Sequence, residues 1–314
     1  MEKRYTIGQA ADYLNKSVNT LQRLDREQKL IAKRTDTNRR FYTKDQLDRY
    51  LKDEIIAKKV RNNNYYFKRY TRKYHKSGQK IVGLEHLAKT AITCFDCDQL
   101  SDLVILGKRG VGKNTLVQYL SETDKDRIYY KLDLPYLISD NSDDISKINI
   151  YFNEIIREAE KMSKKNKRKV MLVVDEAHQL ILMPYISLSN LLTALKSSNV
   201  GMILLTTYTE YQHYMVPNHP LWNKIQTIRL REPDEAAVIS MLHNKAQYYG
   251  VLRDIKDKNK LFKQIYGYTK RLMPEKVQPQ VSVDIFNQMV GWHRMKNEPF
   301  DRHLLYKVLD INFK

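Results

Sequence analysis

The run Leu103-Val104-Ile105-Leu106-Gly107-Lys108-Arg109-Gly110-Val111-Gly112-Lys113-Asn114-Thr115 limits what this chain can fold into more than any other stretch. Four apolar residues read as a buried strand, a glycine-rich turn follows, and Leu116-Val117-Gln118-Tyr119-Leu120 opens a helix. Gly107-x-x-x-x-Gly112-Lys113 fits the P-loop pattern except at its last position, where Asn114 replaces Ser or Thr. Backbone N–H groups of such a turn point inward and the helix N-terminus adds positive potential, so the site favours phosphate. Residues 107–115 (Gly107, Lys108, Arg109, Gly110, Val111, Gly112, Lys113, Asn114 and Thr115) are therefore the expected ATP cradle, with Lys113 on the β- and γ-phosphates.

Some 60 residues later, Val170-Met171-Leu172-Val173-Val174-Asp175-Glu176 is an apolar strand ending in two carboxylates, a Walker B pattern. Asp175, through water, and Asn114 are expected to hold Mg2+, and Glu176 to polarise the attacking water. Strands are also expected over residues 128–134 and 199–207. Thr206 and Thr207 end the second and suit a sensor of the nucleotide. A helix is read at 149–161, with a basic turn at 164–169. From residue 231 strand character is lost, and helices are read at 235–249, 258–268 and 281–295.

The positive charge is uneven. The net charge is +19, and residues 1–80 hold 22 Lys/Arg against 9 Asp/Glu, a surplus of 13. That concentration points to a polyanion, and nucleic acid fits better than a merely soluble basic surface. Thr6 to Leu14 has helical spacing, Asn15-Lys16 breaks it, and Ser17 caps a second helix to about residue 27. Residues 30–42 alternate, as a small β wing does, and Thr43-x-x-Gln46 is a capping box before a third helix at 45–56. Between residues 57 and 80 basic residues interleave with Tyr65, Tyr66, Phe67, Tyr70 and Tyr74. Such a stretch either stacks bases or packs its rings on the following domain; packing is preferred, because base stacking needs a platform.

Ile7-Gly8-Gln9-Ala10-Ala11, the run from Ser17 to Glu27, and Arg39-Arg40-Phe41-Tyr42 resemble the MerR-type winged helix found at the head of some serine transposases and resolvase-like recombinases. The resemblance implies that Asn19, Thr20, Gln22 and Arg23 face the major groove, while Arg39, Arg40 and Tyr42 contact backbone. A winged helix used for protein contacts is the alternative. Ile81-Val82-Gly83, Gly110-Val111-Gly112-Lys113, Asp175-Glu176-Ala177-His178, the run Thr206 to Tyr211, Arg231-Glu232-Pro233 and Met273-Pro274-Glu275-Lys276 occur in the order of Clp-type chaperone ATPases. Over about residues 79–280 the chain looks like the first AAA+ module of that family. That resemblance implies a family threonine at position 114 and two arginines at 223–224, where this chain has Asn114, Asn223 and Lys224. Lys224 is then the remaining cation for a neighbour's site. Ser139-Asp140-Asn141-Ser142-Asp143-Asp144 stands where the family carries an aromatic pore loop.

The expected fold is an α/β P-loop AAA+ core with a C-terminal helical lid, preceded by a small winged helix-turn-helix domain. The expected boundaries are a DNA-binding domain at 1–56, a basic aromatic linker at 57–78, the core at 79–230 and the lid at 231–314. No signal peptide or membrane-spanning run is read, so the location is cytoplasmic by default. Cys94 and Cys97 lack a second ligand pair for zinc; they read as two reduced thiols, with a redox pair as the alternative. The implied partners are double-stranded DNA and further copies of the chain in a ring or filament. The implied role is a helper that recruits a transposase, recombinase or replication protein. A transcription regulator with a nucleotide-sensing oligomerisation domain is the rival, and a protein-remodelling chaperone the next.

Overall fold

The computed structural model describes residues 4–26, 30–35, 39–52, 64–96, 102–142, 144–182, 191, 194–195, 197, 199–218 and 225–313. Cys97, Asp143, Asn223, Lys224 and the basic run 57–63 lie outside them. Two compact units divide the chain, Met1–Tyr66 and Phe67–Lys314.

In the first unit, helices Ile7–Tyr13 and Val18–Arg26 and a helix at 44–52 pack with a three-stranded antiparallel sheet. Its strands are β1 (Arg4–Thr6), β2 (Lys33–Arg34) and β3 (Arg40–Thr43), with β3 central. Local chemistry sets each start. The Thr6 hydroxyl accepts the Gln9 N–H at 3.3 Å while Gln9 Oε1 accepts the Thr6 N–H at 3.0 Å. Thr43 and Gln46 make the same reciprocal pair, and Ser17 Oγ accepts the Thr20 N–H at 3.2 Å. Each such cap satisfies an orphan donor and contributes about 1 kcal/mol. Ala10, Ala11, Leu14, Leu21, Leu24, Leu30, Tyr42 and Leu47 close the core.

The second unit is built on a six-stranded sheet of order β4-β6-β7-β8-β5-β9. Its strands are β4 (Thr71–Lys73), β5 (Leu103–Leu106), β6 (Arg127–Leu132), β7 (Lys169–Val174), β8 (Val200–Thr206) and β9 (Gln226–Arg229). All neighbours are parallel except β4 against β6. Leu103, Ile105, Met171, Val173, Ile203 and Leu205 bury one face against Ala88, Ala91, Leu116, Val117 and Leu120 of helices Glu85–Asp96 and Lys113–Thr123. Val104, Leu172, Val174, Met202 and Leu204, of the opposite parity, are also buried. Burial on both faces is why the parallel strands are uninterrupted apolar runs. Helices Glu235–Tyr248, Lys258–Leu272, Gln280–Lys296 and Arg302–Phe313 form a separate apolar cluster, the lid. Its fourth helix was not singled out from the sequence.

The stretch expected as a linker is partly core. Tyr65–Tyr70 is a helix that runs into β4, and Phe67 and Tyr70 are both 1% exposed. Phe67 meets Tyr130 edge-on, and Tyr70 stacks on Tyr151. The buried Glu158 carboxylate accepts the Phe67 N–H at 2.8 Å. Burial removes Phe67 and Tyr70 from any base-stacking role; packing of the rings prevails. The acidic loop after residue 139 has a holding part as well: Asp140 accepts from Arg69 at 2.8 Å and from the Tyr70 hydroxyl at 2.5 Å.

Asp102, just before β5, is 5% exposed and accepts the Met202 N–H at 2.7 Å. Burial pushes its carboxyl from 3.8 up to about 7, against the pull of that hydrogen bond and of Lys169. A raised folded-state value means that the folded state holds the proton more tightly than the unfolded chain. Its contribution is therefore full below pH 3.8 and is lost as pH rises to about 7. Asp102→Asn, which keeps the acceptor without the charge, is expected to flatten the decline of melting temperature between those pH values. An unchanged pH profile in thermal melts contradicts the assignment.

Candidate functional site

The site lies where β5 sits between β8 and β9, at the carboxyl ends of parallel strands, the usual ligand crevice of such sheets. β5 delivers the glycine turn. Gly110 (φ 83°) and Gly112 (φ 106°) are left-handed, a conformation that side chains disfavour. Helix Lys113–Thr123 begins at Gly112 with no side-chain cap, so its first N–H groups stay open to an anion. A cleft of about 550 Å³ is lined by residues 109–115, Asp175 and Glu176, and also by the apolar Ile81, Val82, Met241 and Val283. The Lys113 ammonium donates to the carbonyls of Gly107 at 2.7 Å and Lys108 at 3.1 Å, and burial holds its pKa below the ordinary value. The lid is tied to the loop: Lys108 reaches Glu232 at 2.8 Å, and Glu232 accepts the Gln278 N–H at 3.3 Å.

The carboxylates after β7 are both engaged. Glu176 has φ 51° and lies 3.3 Å from Arg109, which also approaches Glu210 at 3.8 Å. His178 Nδ1 is 3.3 Å from Glu210 and 3.7 Å from Glu176. Glu210 in turn accepts from Thr206 Oγ1 at 3.1 Å and the Thr207 N–H at 3.0 Å, while its own N–H donates to Thr207 Oγ1. Burial works against the Glu210 charge, but these donors outweigh it and lower its pKa. Thr206 and Thr207 thus cap a helical turn and orient Glu210; Glu210 and His178 were not singled out as site residues from the sequence.

Asp175 departs from expectation. Its Oδ2 accepts from Asn114 Nδ2 at 2.8 Å and from Lys131 Nζ at 3.1 Å, and its Oδ1 accepts the Glu176 N–H at 3.1 Å. Three of roughly four acceptor positions of the carboxylate are filled. Asn114 presents its N–H side, because its oxygen would face the carboxylate. The Mg2+ that the sequence pattern implies needs oxygen ligands, and here a lysine already faces the same oxygen. Like unit charges 4 Å apart repel by about 4 kcal/mol at an effective dielectric of 20, and a divalent ion doubles this before exposure screens it. The expected Asn114–Asp175 metal pair is therefore corrected: it is a hydrogen-bonded pair completed by Lys131, and these residues do not fit a divalent ion.

In the first unit, Leu21 and Leu24 bury one face of helix Val18–Arg26, and Asn19, Arg23 and Arg26 lie exposed at i, i+4 and i+7 on another. Gln22 and Thr20 are half-buried beside them, and Arg39 is exposed. Two expected backbone contacts are otherwise placed. Tyr42 is 0% exposed and belongs to the core, so it has no surface to offer DNA. Arg40 is paired with Asp25 at 3.0 Å, and Asp25 also accepts the Ala32 N–H at 2.9 Å, which secures the wing.

Comparison with known proteins bears on the fold of both units. A helix-turn-helix domain family profile matches residues 4–54. The chaperone protein ClpB of Staphylococcus epidermidis is 22% identical over 222 residues, which is 66% of this chain and 25% of that protein. ClpB of Enterococcus faecalis is 23% identical over the same shares. The chain thus spans about a quarter of the length of these curated relatives. Among solved structures, a closed state of Hsp104 with ATPγS and FITC casein superposes with a TM-score of 0.64 at 17% identity, over 74% of this chain and 42% of that one. The Saccharomyces cerevisiae Hsp104–ADP complex gives 0.62 at 18%, over 72% and 41%. The fold is the Hsp104/ClpB-like α/β AAA+ fold preceded by a helix-turn-helix domain.

Two glycines test the loop against a bland position. A Cβ on Gly110 would sit 2.1 Å from Gln280 Oε1 of the lid, at a φ that disfavours it, whereas a Cβ on Gly267, inside a lid helix, meets nothing within 4 Å. Gly110→Ala is expected to destabilise by about 1 kcal/mol or more, and Gly267→Ala to stabilise by roughly 0.5–1 kcal/mol. Urea melts showing equal effects at both positions contradict this account of the loop.

Proposed function

We propose that this protein is an ATP-binding AAA+ protein whose helix-turn-helix head places it on double-stranded DNA, where ATP holds a homo-oligomer together. The observation that carries the reading is the cleft itself: an uncapped helix start with Lys113 and Arg109, and apolar residues suited to a purine in the same lining. A triphosphate offers Lys113 charged oxygens in place of loop carbonyls, and charge-assisted bonds are the stronger ones. Glu176 is the base for hydrolysis, but only once Arg109 releases it, so turnover is slow, below the enzyme median of about 10 s⁻¹. Asn223 and Lys224, uncharged and a point charge where a bidentate arginine would serve, act in the same direction. The exposed Asn19, Arg23 and Arg26 face and the N-terminal charge surplus of 13 support the DNA role. A DNA reader joined to such an ATPase suits a helper of transposition, recombination or replication of a mobile element, plasmid or phage.

The likeness to ClpB and Hsp104 favours a second reading, an ATPase that remodels other proteins. ATP-dependent capture of fluorescent casein by the whole protein distinguishes it; capture independent of DNA favours remodelling.

Lys113→Ala is expected to weaken a fluorescent ATP analogue about tenfold or more and to abolish the ATP-dependent rise in mass seen by light scattering. Unchanged affinity removes the nucleotide site from the P-loop. For the head, duplex affinity of the whole chain is expected to fall by about 0.9 log units per phosphate contact for each log unit of salt. Arg23→Ala is expected to cost about 1–3 kcal/mol on a preferred site, and Arg39→Ala to weaken all duplexes alike. Failure of the protein to shift any duplex at low salt overturns the DNA role.

A further inference from the structure

Lys131 belongs to no nucleotide motif in the sequence, yet the sheet delivers it to Asp175. It lies opposite Val173 in the parallel pairing of β6 with β7, two residues before Asp175. From there its Nζ reaches Asp175 Oδ2 at 3.1 Å, on the same oxygen that Asn114 reaches at 2.8 Å. Asp175 lines the cleft beside residues 109–115, so the ammonium stands one hydrogen bond from that lining. A lysine head is a compact charge with three donors, and one of them goes to Asp175. Asn114 fits this arrangement better than a metal site, since its amide supplies the donor that steadies the carboxylate from the helix side.

We propose that Lys131 is a built-in cation for the nucleotide's phosphates, held by Asp175, which Asn114 steadies in turn, so that this protein binds ATP without a divalent metal ion. The proposal rests on the nucleotide reading above. A divalent ion neutralises the β- and γ-phosphates and is anchored by a free aspartate. Here the aspartate is already matched by one fixed positive charge, and Lys113 and Arg109 stand on the loop beside it. The fixed charge needs no capture from solution, and its position is set by strand pairing rather than by ligand number. Lys131 is a positioning and binding residue in this account, independent of whether ATP is hydrolysed.

The test is a titration of the whole protein with a fluorescent ATP analogue, in Mg2+ and in EDTA. Wild-type affinities in the two buffers are expected to agree within about fivefold. Lys131→Met, at a side chain that is 41% exposed and so tolerant of change, is expected to bind at least about tenfold more tightly in Mg2+ than in EDTA. Lys131→Arg, which keeps the charge, is expected to remain indifferent to the metal. A wild-type loss of about fivefold or more in EDTA, with Lys113→Ala weak in both buffers, overturns the metal-free inference while leaving the nucleotide site standing. Equal metal dependence of Lys131→Met and wild type overturns it too. Wild-type affinity retained by Lys113→Ala overturns the nucleotide reading itself, and this inference with it.

Discussion

The carboxylate of Asp175 joins two remote parts of the chain that have no local reason to meet it, and is steadied by the backbone just beyond its own strand. The P-loop helix reaches it through Asn114, the neighbouring strand through Lys131, and the backbone beyond β7 through the Glu176 N–H. The first two contacts depend on the parallel stacking of β6, β7, β8 and β5, which brings their carboxyl ends to one edge. Burial works against the Asp175 charge, and Asn114 and Lys131 more than offset it, so its pKa falls below the ordinary carboxylate value. Without those donors a charge this deep would be expensive.

A second set of contacts hangs on the same edge. Glu176 adopts a left-handed backbone, a strained state that persists where surrounding structure holds it. Arg109 and His178 lie on one side of it and Glu210 faces both, while the Thr207 cap keeps Glu210 in place. The glycine loop is thereby connected to Glu176 through Arg109, and to the lid through Lys108 and Glu232.

The N-terminal unit solves a small domain's problem differently. Its core is slight, so reciprocal caps at Thr6 and Thr43 and the Asp25 bonds to Arg40 and Ala32 hold its helices and wing. Asp25 keeps its charge readily, chiefly because of the Ala32 N–H. That economy engages Arg40, while Asn19, Arg23 and Arg26 remain exposed on helix Val18–Arg26.

Much of this was legible in the residues alone. Apolar runs marked β5, β7 and β8 to within a residue or two, because a strand buried on both faces has few choices of side chain. The glycine turn, the Ser17 cap and the Thr43–Gln46 box were equally plain, since each acts over three or four residues. Tertiary structure alone decided the rest. β4 and β9 are short and polar, Thr71-Arg72-Lys73 and Gln226-Thr227-Ile228-Arg229, and become strands only because an edge is there to pair with. The same holds for Tyr42, whose ring the wing turns inward, and for Lys131, 44 residues from Asp175 along the chain. A motif reports the groups that local spacing brings together. The cation at Asp175 comes from strand register, which no stretch of this sequence expresses by itself.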